Sequence, residues 1–141
     1  MTQERPSKIL FVCTGNSCRS QMAEGFARAM LPDGWRAMSA GTIAAGVHPL
    51  AIEAMKELGI DISGQKSKSL GEIAIGEIDR VVTLCGDAHE HCPIFPNAKS
   101  VEHWPIDDPI YATSTADPMP AFRRARDDIK NRMTELCDRL L

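Results

Sequence analysis

The chain has 141 residues, of which 43% are hydrophobic and 25% are charged. This length is sufficient for one domain with a hydrophobic core that needs no stabilising metal or disulfide. Its formal net charge of -3 excludes a general nucleic-acid or membrane-surface binder, and we find no signal peptide and no apolar run of membrane-spanning length. Five cysteines without an export signal indicate a reducing environment, so we expect a cytoplasmic monomer whose thiols react rather than form structural disulfides.

Strand and helix patterns alternate along the chain after a loose tail at residues 1–7. Four apolar runs predict strands, at residues 8–12, 35–40, 80–84 and 99–103. Three amphipathic stretches predict helices, at residues 20–31, 49–58 and 118–141. The polar stretch 60–71 predicts irregular structure. The alternation implies a single α/β domain over residues 1–141, with an open parallel four-stranded sheet, right-handed crossovers and helices on both faces.

Helical periodicity also predicts which side chains face the core. In the first helix these are Met22, Ala23, Phe26, Ala27 and Met30, whereas Gln21, Glu24 and Arg28 lie off the apolar face. In the second and last helices they are Ile52, Met55, Leu58, Phe122, Ile129, Met133, Leu136 and Leu140. Arg123, Arg124 and Arg126 are expected to form a solvated face of the last helix.

Residues 13–20, Cys-Thr-Gly-Asn-Ser-Cys-Arg-Ser, join the first strand to the first helix. A glycine-bearing turn at a helix start directs consecutive backbone N–H groups around a small hollow that suits a tetrahedral oxyanion. This hollow is predicted to be built by Thr14, Gly15, Asn16, Ser17, Cys18, Arg19 and Ser20. Cys13 would lie at its floor as a reactive thiolate, and the planar fork of Arg19 would bind two oxygens of the anion. The alternative is an inert cysteine in a strand-to-helix turn.

Two further cysteines, Cys85 and Cys92, follow the third predicted strand, so Cys85 should lie at the same carboxyl edge of the sheet as Cys13. In a continuous helix their Cα atoms would be about 10 Å apart, whereas a disulfide needs about 4.4–6.8 Å. We therefore expect segment 85–92 to be at least partly helical when reduced and looped when oxidised. Three interpretations remain open at this point: packing residues, a metal site completed by His89 and His91, and a redox relay.

The residues around Cys13 resemble a known family. Cys-x5-Arg-Ser after a strand is similar to the signature loop of the low-molecular-weight protein tyrosine phosphatases. The longer stretch CTGNSCRSQMAE, with Gln21 in place of the usual proline, is closer to their relatives, the thioredoxin-coupled arsenate reductases. The LC-x6-CP element of those reductases matches at Cys85 and Cys92. The resemblance covers nearly the whole chain and implies the fold of that phosphatase family.

The resemblance implies reduction of arsenate to arsenite by three cysteines, without a metal or organic cofactor. Cys13 attacks arsenic, Cys85 attacks the sulfur of Cys13 so that arsenite leaves, and Cys92 then forms the final disulfide with Cys85. Thioredoxin reduces that disulfide, with glutaredoxin or glutathione as less favoured donors. The resemblance also implies that the hydroxyl of Ser20 hydrogen-bonds the thiolate of Cys13 and keeps it ionised.

The acid of this family is an aspartate directly before a proline, and Asp108 before Pro109 matches it. A protonated carboxyl would assist the departure of hydroxide, which is a poor leaving group. A residue before proline is held extended, which can aim Asp108 at the neighbouring loop, whereas Asp107 is expected to be a solvated carboxylate. Ile110 stands where the phosphatases carry a substrate-stacking aromatic, which disfavours phosphotyrosine as the substrate.

Some members of the superfamily bind potassium beside the loop, through residues that match Asn16, Glu24 and Ser39 and an aspartate. The position of that aspartate is Lys68 here. A lysine ammonium could supply the positive charge of the ion, so we expect no potassium site.

The remaining candidates have plainer expected roles. Cys18 and Cys137 are expected to be packing residues, and His48 is expected to cap a helix. Two other function classes remain open: a phosphatase that uses only Cys13, Arg19 and Asp108, and a non-catalytic oxyanion binder or arsenic sensor. A sensor should carry a DNA-reading helix-turn-helix, and the sequence shows none.

Overall fold

Strand β1 (Ser7–Cys13) occupies the interior of the sheet because both of its faces are apolar. The computed structural model describes residues 6–84 and 95–140. Ile9, Leu10, Phe11 and Val12 are fully buried, as expected for a strand that is covered on both sides. The strand order is β2 (Trp35–Gly41), β1, β3 (Arg80–Thr83) and β4 (Ser100–His103). All three pairings are parallel, which confirms the predicted α/β fold with a four-stranded parallel sheet.

The register of the strands brings their carboxyl ends to one edge of the sheet. Cys13, the last residue of β1, is paired with Gly41, the last residue of β2. On the other side, Val12 is paired with Thr83, and the backbone N–H of Leu84 donates to the carbonyl of Val12 at 2.8 Å. The loops that follow β1, β2, β3 and β4 therefore all leave from the same edge, where open parallel sheets form their sites.

Three α-helices of the described chain pack against one another: α1 (Arg19–Met30), α2 (Pro49–Lys56) and α3 (Met119–Leu140). Of these, α1 contacts β1 and β2 of the sheet. Close contact between α1 and the segment after α2 depends on Gly25, where a Cβ would stand 2.6 Å from Ile62 Cγ2. The predicted core positions Phe26, Met55 and Phe122 are buried. Leu58 is instead 39% exposed, because α2 ends at Lys56 rather than at residue 58.

Helix α1 is buried on more than its apolar face. Gln21 and Glu24 lie off that face but are 0% and 1% exposed, respectively, whereas Arg28 is exposed. Ser39 Oγ donates to Glu24 Oε1 at 2.7 Å, and Arg28 forms an ion pair with Glu24 Oε2 at 2.8 Å. Buried polar groups of this kind are tolerated because each has polar partners.

The prediction of a fully solvated arginine face on α3 is wrong for Arg126. Its side chain is buried and donates to the carbonyl of Ala54 at 2.9 Å and to Glu57 Oε1 at 2.7 Å. Arg123 is exposed and bonds the same carboxylate, and Arg124 is exposed as predicted. Arg126 is therefore a link between α3 and α2, because a buried guanidinium needs several acceptors.

The predicted irregular region after α2 contains one turn of 3-10 helix at Leu70–Glu72, and a second follows at Ile75–Glu77. A longer 3-10 helix at Pro109–Ser114 leads from the loop after β4 towards α3. Within residues 6–84 and 95–140, no helix has both the length and the apolar character that a membrane crossing requires.

Candidate active site

The loop between β1 and α1 turns its carbonyl groups outward and its amide groups inward. The carbonyl oxygens of Cys13, Thr14, Gly15 and Ser17 accept the backbone N–H groups of Thr42, Ile43, Ala45 and His48 at 3.3, 3.0, 2.8 and 3.0 Å, respectively. A trans peptide places its N–H opposite its C=O, so the N–H groups of the same peptides are directed to the other side of the loop. Residues of the loop line a cavity at the start of α1, a place where backbone N–H groups suit an anion.

This cavity has a volume of about 290 Å³ and is lined by the loop and by residues of two other segments, one before α2 and one after β4. Its lining residues outside the loop are Ala45, His48, Asp108 and Ile110. Two clefts of about 550 Å³ each are larger, one around Trp35 and one beside α3. We place the chemistry in the smaller cavity because it is the one lined by the thiol, the guanidinium and the carboxylate.

A short chain of hydrogen bonds ends at the sulfur of Cys13. Cys13 Sγ lies 2.8 Å from Ser20 Oγ, and Asn16 Nδ2 donates to the same oxygen at 2.9 Å. The backbone N–H of Lys68 donates to Asn16 Oδ1 at 2.6 Å. Because Ser20 Oγ accepts from Asn16, its own hydrogen is available to the sulfur. The geometry is thus suited to stabilising a thiolate, and Cys13, Asn16 and Ser20 are all buried.

Arg19 connects the loop with the ends of two other strands. Its Nη1 donates to the carbonyls of Leu84 at 3.3 Å and Ile106 at 3.0 Å, and its Nη2 donates to Asp108 Oδ2 at 3.1 Å. Nε is buried with no hydrogen-bond partner among residues 6–84 and 95–140. A buried guanidinium N–H without an acceptor is costly, so this group is suited to donate a hydrogen bond to an anionic ligand.

Asp108 lies at the cavity with an extended backbone (φ -76°, ψ 114°), as its place before Pro109 predicts. Its Oδ1 accepts the N–H of Ile110 at 3.0 Å and so caps the 3-10 helix, while Oδ2 accepts from Arg19. Both bonds hold the carboxylate beside the loop. Asp107 is exposed, in agreement with its predicted role as a solvated carboxylate.

The remaining candidates from the sequence, one histidine and two cysteines, are capping and packing residues. His48 Nδ1 accepts the N–H of Leu50 at 3.1 Å, which confirms it as the N-cap of α2. Cys18 is 4% exposed, and burial raises the pKa of its thiol to about 12, so it remains protonated. Cys137 is buried on α3 next to the carbonyl of Met30, outside the cavity.

Gly41 is a site residue that sequence reasoning missed. A Cβ on this residue would stand 2.5 Å from Ile43 O, 2.6 Å from Asn16 N and 2.7 Å from Thr14 O. The glycine therefore allows β2 and the segment after it to approach the loop. The only indication of Gly41 in the sequence is its position directly after the predicted strand at residues 35–40. The close approach itself depends on the pairing of Gly41 with Cys13, which the sequence pattern does not reveal.

Hydrogen bonds within the chain engage the residues at which the resemblance would place a potassium ion. Asn16 Oδ1 accepts from Lys68, and Glu24 Oε1 accepts from Ser39. Lys68 Nζ lies 4.0 Å from Glu24 Oε1 and donates to the carbonyl of Lys66 at 2.8 Å. A cationic group therefore already faces the buried carboxylate.

Cys85, Cys92 and the predicted conformational change of segment 85–92 fall outside the described residues. The described chain reaches Leu84, whose carbonyl accepts from Arg19. In the sequence, Cys85 directly follows Leu84.

Comparison with known proteins places this geometry in context. The sequence profile described as "Low molecular weight phosphotyrosine protein phosphatase" matches residues 8–141. An arsenate reductase of Bacillus subtilis (strain 168) is 50% identical over 131 residues, which cover 92% of this chain and 94% of that protein. A solved structure titled "An arsenate reductase in the phosphate binding state" has a TM-score of 0.84 and 36% identity, covering 96% of this chain and 99% of its own. An arginine phosphatase from Geobacillus stearothermophilus has a TM-score of 0.78 and 28% identity, covering 96% and 93% of the two chains.

Proposed function

The chain belongs to the low molecular weight phosphotyrosine protein phosphatase family, and on that premise we propose that it reduces arsenate to arsenite with its own thiols. The observation that carries oxyanion chemistry is that Cys13, Arg19 and Asp108 line one cavity together with the loop between β1 and α1. Reduction rather than hydrolysis is supported by the two further thiols, Cys85 and Cys92, that follow β3. It is also supported by 50% identity with a relative named as an arsenate reductase.

The first step uses groups of the described chain. Arsenate binds with its oxygens at the loop amides and at the guanidinium of Arg19. The thiolate of Cys13 attacks arsenic, and the arsenic–oxygen bond to one hydroxyl breaks. Asp108, released from Arg19 by the incoming anion and carrying a proton, gives that proton to the departing hydroxide, which leaves as water.

The second step transfers two electrons from sulfur to arsenic. The thiolate of Cys85 attacks Sγ of Cys13, a sulfur–sulfur bond forms, and the electron pair of the sulfur–arsenic bond goes to arsenic, which leaves as arsenite. Cys92 then attacks Cys85, so that a Cys85–Cys92 disulfide forms and Cys13 is released as thiolate. Thioredoxin supplies the two electrons that return Cys85 and Cys92 to thiols, with glutaredoxin or glutathione as the less favoured donors.

We assign no potassium ion and no other cofactor to this reaction. The ammonium of Lys68 already faces Glu24, whose Oε1 also accepts the hydroxyl of Ser39, and Asn16 Oδ1 accepts the N–H of Lys68. Adding a second cation beside Lys68 would bring two like charges together, which is unfavourable in a buried site.

A phosphatase that uses only Cys13, Arg19 and Asp108 is the second candidate, because the family is described by that activity. Phosphate and arsenate have the same tetrahedral shape and charge, so the loop would bind both. The two functions differ in whether electrons are consumed.

The deciding experiment follows NADPH oxidation with arsenate, thioredoxin and thioredoxin reductase, and repeats it with glutaredoxin and with glutathione. We expect sustained oxidation with thioredoxin, none with Cys13→Ser, and a wild-type rate with Cys137→Ser, whose thiol lies outside the cavity. If wild-type protein consumes no NADPH with any donor but hydrolyses p-nitrophenyl phosphate through Cys13, the phosphatase interpretation replaces the reductase.

A further inference from the structure

Gln21 is fully buried beside the oxyanion loop, and the proposed chemistry does not use it. Its Nε2 donates towards three acceptors: Asn16 O at 3.1 Å, Asn16 Oδ1 at 3.0 Å and Lys66 O at 3.0 Å. Its Oε1 accepts from Gln65 Nε2 at 2.8 Å. Both ends of this carboxamide are therefore engaged, as expected for a buried polar side chain that holds neighbouring groups in place.

Backbone groups decide which end of each amide faces which neighbour. The carbonyl oxygens of Asn16 and Lys66 can only accept, so the nitrogen of Gln21 must face them. The backbone N–H of Lys68 can only donate, so the oxygen of the Asn16 side chain must face it. The nitrogen of the Asn16 side chain is then left to donate to Ser20 Oγ.

The hydrogen bonds thus run, from donor to acceptor, from Gln65 to Gln21 and on to Asn16, which also accepts from the N–H of Lys68. From Asn16 they continue to Ser20 and the sulfur. Asn16 has a φ of 47°, in the left-handed region that few residues with a Cβ adopt, so it needs contacts that hold it there. Gln21 supplies two of them, one to its carbonyl and one to its side chain.

We propose that Gln21 is a positioning residue for the thiolate of Cys13, because it holds Asn16 in the orientation that leaves the Ser20 hydrogen for the sulfur. This inference rests on the proposed role of Cys13 as the nucleophile. Without Gln21, Asn16 loses the contacts to its carbonyl and to its side-chain oxygen and keeps the one from the N–H of Lys68. Asn16 is then held less firmly, and the Ser20 hydroxyl can turn away from the sulfur, which weakens a hydrogen bond to a charged group.

The test measures the rate at which iodoacetamide alkylates Cys13 as a function of pH, by mass spectrometry with fragmentation that separates Cys13 from Cys18. Gln21→Met keeps the volume of the side chain and removes both hydrogen-bonding ends. Gln65→Met, at a half-buried position, removes the two bonds that Gln65 Nε2 donates to the carbonyl and to the side-chain oxygen of Gln21. Met22→Leu, at the adjacent and equally buried position of α1, controls for general loosening of the helix.

We expect the alkylation profile of Gln21→Met to move upward by about one pH unit, which makes the reaction about tenfold slower on the acidic limb. Gln65→Met should move it in the same direction by less, and Met22→Leu should leave it in place. An unchanged profile in both glutamine variants, or an equal shift in all three, would overturn the proposal. Alkylation measures the reactivity of the Cys13 sulfur and nothing else. The result for Gln21 therefore stands even if the protein does not reduce arsenate.

Discussion

Replacing Gly41 with alanine tests whether the shape of the loop creates the oxyanion site. The added methyl would stand 2.5 to 2.7 Å from three backbone atoms, which belong to Thr14, Asn16 and Ile43. An ordinary contact begins at 3.4 Å, so the loop or the segment after β2 must move by roughly 0.8 Å. No side-chain rotation can relieve the clash, because all three atoms are in the main chain.

The displacement should lower both the stability and the activity of the protein. Overpacking costs about 1–3 kcal/mol of unfolding free energy. A shift of about 1 Å in positioned groups can slow a reaction about 100-fold, which corresponds to about 2.7 kcal/mol in the activation barrier. We therefore expect Gly41→Ala to fold, to bind phosphate weakly, and to turn over arsenate about 100-fold more slowly than wild type.

The assay combines coupled arsenate turnover, calorimetric titration with phosphate, and denaturant unfolding. Gly64→Ala is the matched control, because a Cβ there meets no atom within 4 Å. It should keep wild-type binding and turnover. Full phosphate affinity and full turnover in Gly41→Ala would show that the amide positions of the loop do not depend on this close approach.

Three further predictions concern charge, thiol reactivity and ions. Hydrogen bonds from Arg123 and Arg126 lower the pKa of Glu57 from 4.5 to about 2, so its contribution to stability is complete above pH 4.5 and is lost as the pH falls through about 2. The Tm difference between wild type and Glu57→Gln should therefore be largest near neutral pH and shrink below pH 4.5, whereas a constant difference down to pH 2 would contradict the pairing. Burial raises the pKa of Cys18 to about 12, so iodoacetamide at about pH 8 should label Cys13 and spare Cys18; equal labelling of both would refute this. Turnover in potassium chloride and in sodium chloride should be equal because Lys68 faces Glu24, and a strong rise with potassium alone would show that the ion binds.

Much of the fold could be predicted because its main elements carry their signals locally. The unbroken apolar run of β1 and the long amphipathic pattern of α3 identify both elements without tertiary information. The residues from Cys13 to Ser20 could be predicted to form an oxyanion loop for the same reason, since the turn, the thiol and the guanidinium are neighbours in sequence. Asp108 required the resemblance, because its approach to Arg19 joins residues 89 positions apart.

The features that sequence reasoning missed depend on contacts between distant segments. Gly41 matters because its strand is paired with β1 in the register that brings it next to Cys13. The burial of Gln21 follows from residues 65–68 passing beside α1, and the burial of Arg126 follows from the approach of α2 to α3. Periodicity describes one helix at a time and cannot distinguish a polar residue facing water from one facing a polar partner.

The most direct measurement of the three-thiol reaction is a turnover experiment with Cys92→Ser. Incubated with arsenate, this variant should release about one equivalent of arsenite and stop, with a disulfide between Cys13 and Cys85 that peptide mapping identifies. Repeated turnover of the variant with thioredoxin as the only reductant would show that Cys92 is not needed. Arsenite release without a Cys13–Cys85 bridge would equally contradict the proposed order of sulfur transfer.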